Sequence, residues 1–154
     1  MVKKLLKAVL GLFSDYVTTA LAAKAEFGPQ LTVPGFKSNS SYTAYGATKY
    51  VIVAANGVRG AQLATDPGSS LILGVMQNNP DVGEAMVIAY SGPSKVVAGG
   101  SLTANAVFTT DASGHATVVR SGDIAVGRCL ETAANASEVV GALLFPPFRW
   151  FGAP

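Results

Sequence analysis

Charge is what this sequence has least of. Asp, Glu, Lys and Arg make up 13% of its 154 residues, against roughly 25% in ordinary soluble domains. The net charge is only +2, and basic residues gather nowhere except at Lys3, Lys4 and Lys7. That leaves no electrostatic footprint for nucleic acid. There is one cysteine, Cys129, so no intrachain disulfide and no cysteine metal site can form. Cys129 falls in an apolar strand pattern and reads as a small core residue. There is one histidine, His115, just after Ser113-Gly114 at an expected hairpin tip. Nothing assigns it a nucleophile and an orienting group, which a catalytic base needs. The acids Asp66, Asp81, Glu84, Asp111, Asp123, Glu131 and Glu138 sit mostly at turns or strand starts. No loop alternates them as a calcium site requires. Ala98-Gly99-Gly100-Ser101 lacks the lysine and helix of a phosphate loop. No catalytic residue, metal or cofactor is expected.

What is abundant is small and apolar. Hydrophobic residues make up 49% and the mean hydropathy is +0.38. A surface this poor in charge is expected where much of it meets other protein.

One sentence is written twice in the chain. Leu73-Gly74-Val75-Met76-Gln77 leads through a polar turn to Glu84-Ala85-Met86-Val87-Ile88. Val126-Gly127-Arg128-Cys129-Leu130 leads through another to Glu138-Val139-Val140-Gly141-Ala142. A hairpin pattern precedes each copy, around Asn56-Gly57 and around Asp111-Ala112-Ser113-Gly114. The core is therefore expected to be two related β units of about 45 residues each, with Gly74 and Gly127 in equivalent places. Two copies are too few for a solenoid, so a compact antiparallel sandwich or barrel is expected.

The chain divides into four segments. Residues 1–27 carry helical periodicity, with Leu6, Val9, Phe13 and Val17 along one stripe, and Gly28-Pro29 ends it. The segment is too short and too polar to span a bilayer. A secretory signal, a membrane-surface helix and a docking arm compete for it. Lys7 interrupts the hydrophobic stretch and Asp15 follows closely, so the arm is favoured. Residues 28–48 are a Pro/Gly/Ser-rich connector expected to be extended, with at most one short strand. Residues 49–145 are β throughout, with strands expected at 49–55, 58–64, 71–77, 85–91, 94–98, 106–110, 116–120, 124–132 and 138–145. Asn56-Gly57 signals a type I′ turn. Residues 146–154 are an aromatic tail. Phe148, Trp150 and Phe151, with Phe145 before them, must bury their rings in their own body or in a neighbour.

The strings Leu73-Gly74-Val75-Met76-Gln77-Asn78-Asn79-Pro80 with Gly83-Glu84-Ala85, then Lys95-Val96-Val97-Ala98-Gly99-Gly100-Ser101-Leu102-Thr103, then Asp111-Ala112-Ser113-Gly114, then Val126-Gly127-Arg128-Cys129-Leu130-Glu131, taken in order, resemble the capsid decoration (cement) proteins of tailed bacteriophages. The resemblance spans residues 45 to 145. It implies a virion structural protein without enzyme activity, bound to the outer surface of the head. It implies the major capsid protein as partner, and self-association as a homotrimer that ties neighbouring capsomers together. Neither nucleic acid nor membrane is an implied partner. The N-terminal segment and the aromatic tail depart from the family pattern. The competing class is a secreted or cell-surface β-sandwich that binds a ligand such as carbohydrate on an exposed aromatic platform. An enzyme would need His115 in a pocket with a carboxylate.

Overall fold

The computed structural model describes residues 30–40 and 49–152. The expected N-terminal arm, with Leu6, Val9, Phe13 and Val17, lies outside the described residues. Short apolar runs broken by Gly, Pro and Asn turns form strands here, and no helix occurs among the described residues. The strands are β1 (Leu31–Val33), β2 (Lys37–Ser38), β3 (Ile52–Ala55), β4 (Gly60–Leu63), β5 (Ile72–Met76), β6 (Ile88–Val97), β7 (Val107–Thr110), β8 (Ala116–Val118), β9 (Ile124–Cys129) and β10 (Val139–Arg149). Their order along one sheet is β2-β4-β3-β5-β6-β10-β9-β7-β8, with β1 added on β6.

This order repeats itself. In the first half a hairpin, β3–β4, is followed by β5 beside β3 and β6 beside β5. In the second half the hairpin β7–β8 is followed by β9 beside β7 and β10 beside β9. The registers correspond as well. Val53 lies opposite Gly74, and Phe108 opposite Gly127. The loop hydrogen bonds recur in step. Ser38 N–H donates to Glu84 O and Gly83 N–H to Ser38 O; Ala98 N–H donates to Glu138 O and Ser137 N–H to Ala98 O. Asn39 N–H donates to Ala61 O, and Gly99 N–H to Ala116 O. Gly83 and Ser137 both take a left-handed backbone, at φ 83° and 67°.

Core residues follow the same correspondence. Val53, Ala61, Met76, Met86 and Ile88 form a cluster in the first half, against which Val33 and Phe36 pack. Their counterparts Phe108, Ala116, Cys129, Val140 and Ala142 belong to a larger cluster. That cluster also takes in Ile52, Ala54, Ile72, Val75 and Ala89 from the opposite face of the first half. The first half is thus buried on both faces, which is why Val51-Ile52-Val53-Ala54 is continuously apolar rather than alternating. Hydrogen bonds stitch the halves together: Ile52 N–H to Gly114 O at 2.7 Å, Ile124 N–H to Pro67 O at 2.6 Å, and the buried Thr110 hydroxyl to Ala64 O at 2.6 Å.

Several expectations need correction. The sheet is mixed, because β2 runs parallel to β4. The stretches 85–91 and 94–98 are not separate strands. β6 runs straight through Ser91-Gly92-Pro93. Ala98 N–H bonds Glu138 O, and alternation from there makes Pro93–Leu143 a non-hydrogen-bonded pair. The absent Pro93 N–H therefore points away from β10 and costs no ladder bond. The last strand does not stop at 145 but continues to Arg149. The connector contributes two strands rather than one. The turn at Asn56-Gly57 is not a two-residue type I′ turn, which needs positive φ at both central residues. The loop runs from Asn56 to Arg59, with Gly57 at φ 71° and Arg59 at 59°.

Gly74 and Gly127 are both points of close approach, for different reasons. Gly74 sits at φ 149° beside a bulge, and a Cβ there would lie 2.2 Å from the Ala89 carbonyl oxygen. A Cβ on Gly127 would lie 2.7 Å from the Phe108 ring and 2.8 Å from Leu143 O. Gly74→Ala is expected to cost about 2–4 kcal/mol and Gly127→Ala about 1–3 kcal/mol, from strain and overpacking. Gly100→Ala, with open space at its Cβ, should leave the denaturant midpoint unchanged.

The strand β1 also makes residues 30–33 part of the body. Gln30 donates a side-chain hydrogen bond to Pro93 O, and Leu31, Thr32 and Val33 pair with β6. A chain beginning at Gln30 should melt cooperatively near the temperature of the whole protein. A chain beginning at Phe36 should melt lower, because β6 loses a partner and the first-half cluster loses Val33. Equal melting of the two shortened chains would show that β1 adds nothing.

Candidate protein interface

The C-terminal tail gains its shape from two prolines and a bulge. Leu144 lies opposite Gly127, and Phe148 opposite Ala125, so four steps of β10 match two of β9. Phe145-Pro146-Pro147 stand against Val126 alone, two residues in excess. Prolines tolerate this place because a bulge needs no regular ladder donor. Beyond it the backbone is tied down again. Trp150 N–H donates to Asp123 O at 2.7 Å, and Gly122 N–H donates to Trp150 O at 2.8 Å. The Arg149 guanidinium donates to Gly122 O at 2.7 Å and to Gly68 O at 3.4 Å.

This anchoring holds the backbone but leaves Phe148 and Phe151 exposed and Phe145 and Trp150 only half-buried. Phe145 and Phe148 stand 5.3 Å apart at 41°, and Phe148 and Trp150 stand 6.2 Å apart at 47°. These are tilted contacts of the favourable kind. Phe148 is 46% exposed and Phe151 78%, while Trp150 is half-buried. The two fates expected for the tail are therefore divided: its backbone straps the sheet, and its rings form a ladder on the surface. Phe148, Trp150 and Phe151 are the tail residues that the sequence offers for an interface. It does not mark Arg149 as the clamp, because its acceptors are main-chain carbonyls 27 and 81 residues away.

An open groove of about 640 Å³ lies elsewhere, beside the segment carrying β2. Phe36, Val82 and Met86 line it with the exposed cations Lys37 and Arg59. Among the described residues its lining holds no carboxylate, imidazole or thiol. The Ser38 hydroxyl donates to Ser40 O.

His115 Nδ1 lies 3.9 Å from Asp111 Oδ2, too far for a hydrogen bond. Asp111 Oδ1 accepts the backbone amides of Ser113 and His115, so the carboxylate is a turn staple. Burial pushes the Cys129 thiol above its ordinary range, as in an inert core cysteine. Among the described residues no group of three His, Cys, Asp or Glu side chains is placed to hold a metal. Nor is any helix there long and apolar enough to cross a membrane.

The repeated glutamates close turns. Glu84 accepts the Asp81 amide, and Glu138 accepts the Ala134 amide and the Asn135 side chain. The Asn135 bond first, then the Ala134 amide, hold the Glu138 carboxyl below the usual range. A carboxylate depressed in the folded state stabilises it above the unfolded pKa, and that contribution is lost as pH falls through the carboxylate range. Glu138→Gln should therefore reduce the loss of stability on acidification below that range. The check is a set of denaturant midpoints for both proteins across the acid limb. Parallel curves would show that the turn does not depend on the charge.

A scan against models of known protein families finds none that matches this chain, and a search of curated proteins finds no match either.

Proposed function

We propose that this protein is a structural component of a tailed-bacteriophage head, bound to the outer surface of the capsid as a trimer and cementing neighbouring subunits of the major capsid protein. The observation that carries the reading is the ring ladder of half-buried Phe145, exposed Phe148 and half-buried Trp150 on an anchored backbone, with exposed Phe151 beyond it. A preordered aromatic strip loses little entropy on docking, which suits a clamp between proteins. The ordered motifs from Leu73 to Glu131 supply the capsid side of the argument, by resemblance. The low charge fits a molecule whose surface is shared among partners. In this reading residues 1–27 add a second apolar contact through Leu6, Val9, Phe13 and Val17. Repetition over a shell turns many modest contacts into slow release.

The same ladder favours one other reading, a ligand-binding module whose rings take carbohydrate. Sedimentation with mature heads separates the two. The wild-type protein should pellet with heads of its own phage and not bind polysaccharide resins. Phe148→Ser with Phe151→Ser should weaken head binding at least tenfold, since each ring buried at an interface contributes roughly 1.5–3 kcal/mol. The melting temperature should hold, because both rings are exposed. Wild-type protein left in the supernatant, or the double variant bound at full occupancy, would overturn the proposal.

A further inference from the structure

The two hairpin turns correspond in length and in their closing hydrogen bond, and one of them carries an asparagine where the other carries an aspartate. Asn56 N–H donates to Gly60 O at 2.8 Å, and Asp111 N–H donates to His115 O at 2.8 Å. Arg59 and Gly114 both occupy the left-handed region three residues on. The Asp111 carboxylate accepts two amides of its turn, from Ser113 at 2.7 Å and His115 at 2.9 Å. The corresponding amides in the first hairpin belong to Val58 and Gly60. Asn56 instead donates its side-chain amide across the strands to Gln62.

Asn56 is also the one asparagine in the chain followed by glycine. Asn39, Asn78, Asn105 and Asn135 precede Ser, Asn, Ala and Ala, and Asn79 precedes Pro80, which has no N–H to react. Asn56 and Gly57 are exposed, and space is open around the Gly57 Cα. Asn78, by contrast, is held at both ends of its amide, by Ala85 O and the Val87 N–H.

We propose that Asn56 is a deamidation site, and that its two products have opposite effects on the first hairpin. The Gly57 backbone nitrogen attacks Asn56 Cγ. The N–Cγ bond forms and the Cγ–Nδ2 bond breaks, and ammonia leaves with the proton from the peptide nitrogen. Water then opens the succinimide. Attack at the side-chain carbonyl gives aspartate, and attack at the main-chain carbonyl gives isoaspartate.

The aspartate product reproduces the Asp111 staple. Gly57 stands at φ 71°, whereas Ala112 is not left-handed, and a glycine makes that rotation freely. The isoaspartate product adds a methylene to the main chain at the point that positions β2. Asn56 O accepts the Asn39 side chain, and a Cβ on Gly60 would lie 2.2 Å from that same oxygen. In isoaspartate that oxygen leaves the main chain for a free carboxylate, so the Asn39 bond and the close fit against Gly60 are lost and β2 loosens from β4.

The test is peptide mapping of the folded full-length protein held in mildly alkaline buffer, with an isoaspartyl-specific methyltransferase to distinguish the products. Asn56 should exchange NH₂ for OH before any other asparagine, and Gln62→Ala, which frees the amide, should speed the reaction severalfold. The isoaspartyl fraction should melt below wild type, and Asn56→Asp should melt at or above it. An Asn56 that survives while a short peptide of residues 50–64 converts fully overturns the site. An Asn56→Asp protein that melts below wild type overturns the shared-turn argument, even if the site reacts.

Discussion

A change of partner half-way along β6 holds this fold together. At Ile88 and Ala89 the strand lies between β5 and β1, it keeps β1 as far as Ser91, and from Gly92 to Val97 it lies against β10. One continuous strand thus closes the first half and opens the second. Gly92, at φ 97°, and Pro93 sit at the changeover. Because the strand is common to both halves, neither half can shift without dragging the other. The shared cluster of Ile52, Val75, Phe108 and Val126 then buries the first half on its second face. The largest of these side chains, Phe108, is fully buried, and its removal in cores of this kind costs about 3–5 kcal/mol.

The ring ladder depends on that frame. β10 is fixed on one side by β6 and on the other by β9, and the bulge after Leu144 redirects it without freeing it. Arg149 and the Trp150 main chain then fasten the end to the 120–124 turn. The rings are therefore presented by a backbone with little freedom left to lose. A flexible tail with the same four aromatics would have to order itself on each docking event.

The strand spans were legible because turn residues punctuate them, and the internal repeat was legible because Gly74 and Glu84, and Gly127 and Glu138, recur in the same order at spacings that differ by one residue. The partner change in β6 was not. Ser91-Gly92-Pro93 is a strong turn signal, and only the pairing pattern shows that the proline nitrogen falls where no ladder bond is needed. The part played by residues 30–38 was equally hidden. Their Pro34-Gly35 break and polar surroundings read as a linker, while β1 and β2 are held by partners more than 20 residues away. In the C-terminal tail, aromatic density marked the rings, but no local signal distinguishes a strap with exposed rings from one with buried rings.

Native-state hydrogen exchange tests the central claim most directly. If β6 and the shared cluster make one cooperative body, the amides of Ile52 and Val75 should exchange with the same opening free energy as those of Phe108 and Val126, set by global unfolding. That free energy should move equally at all four sites when denaturant is added. A first half that opens well below the global value while the second remains closed would contradict the account, and would make the chain two separable units joined by a strand.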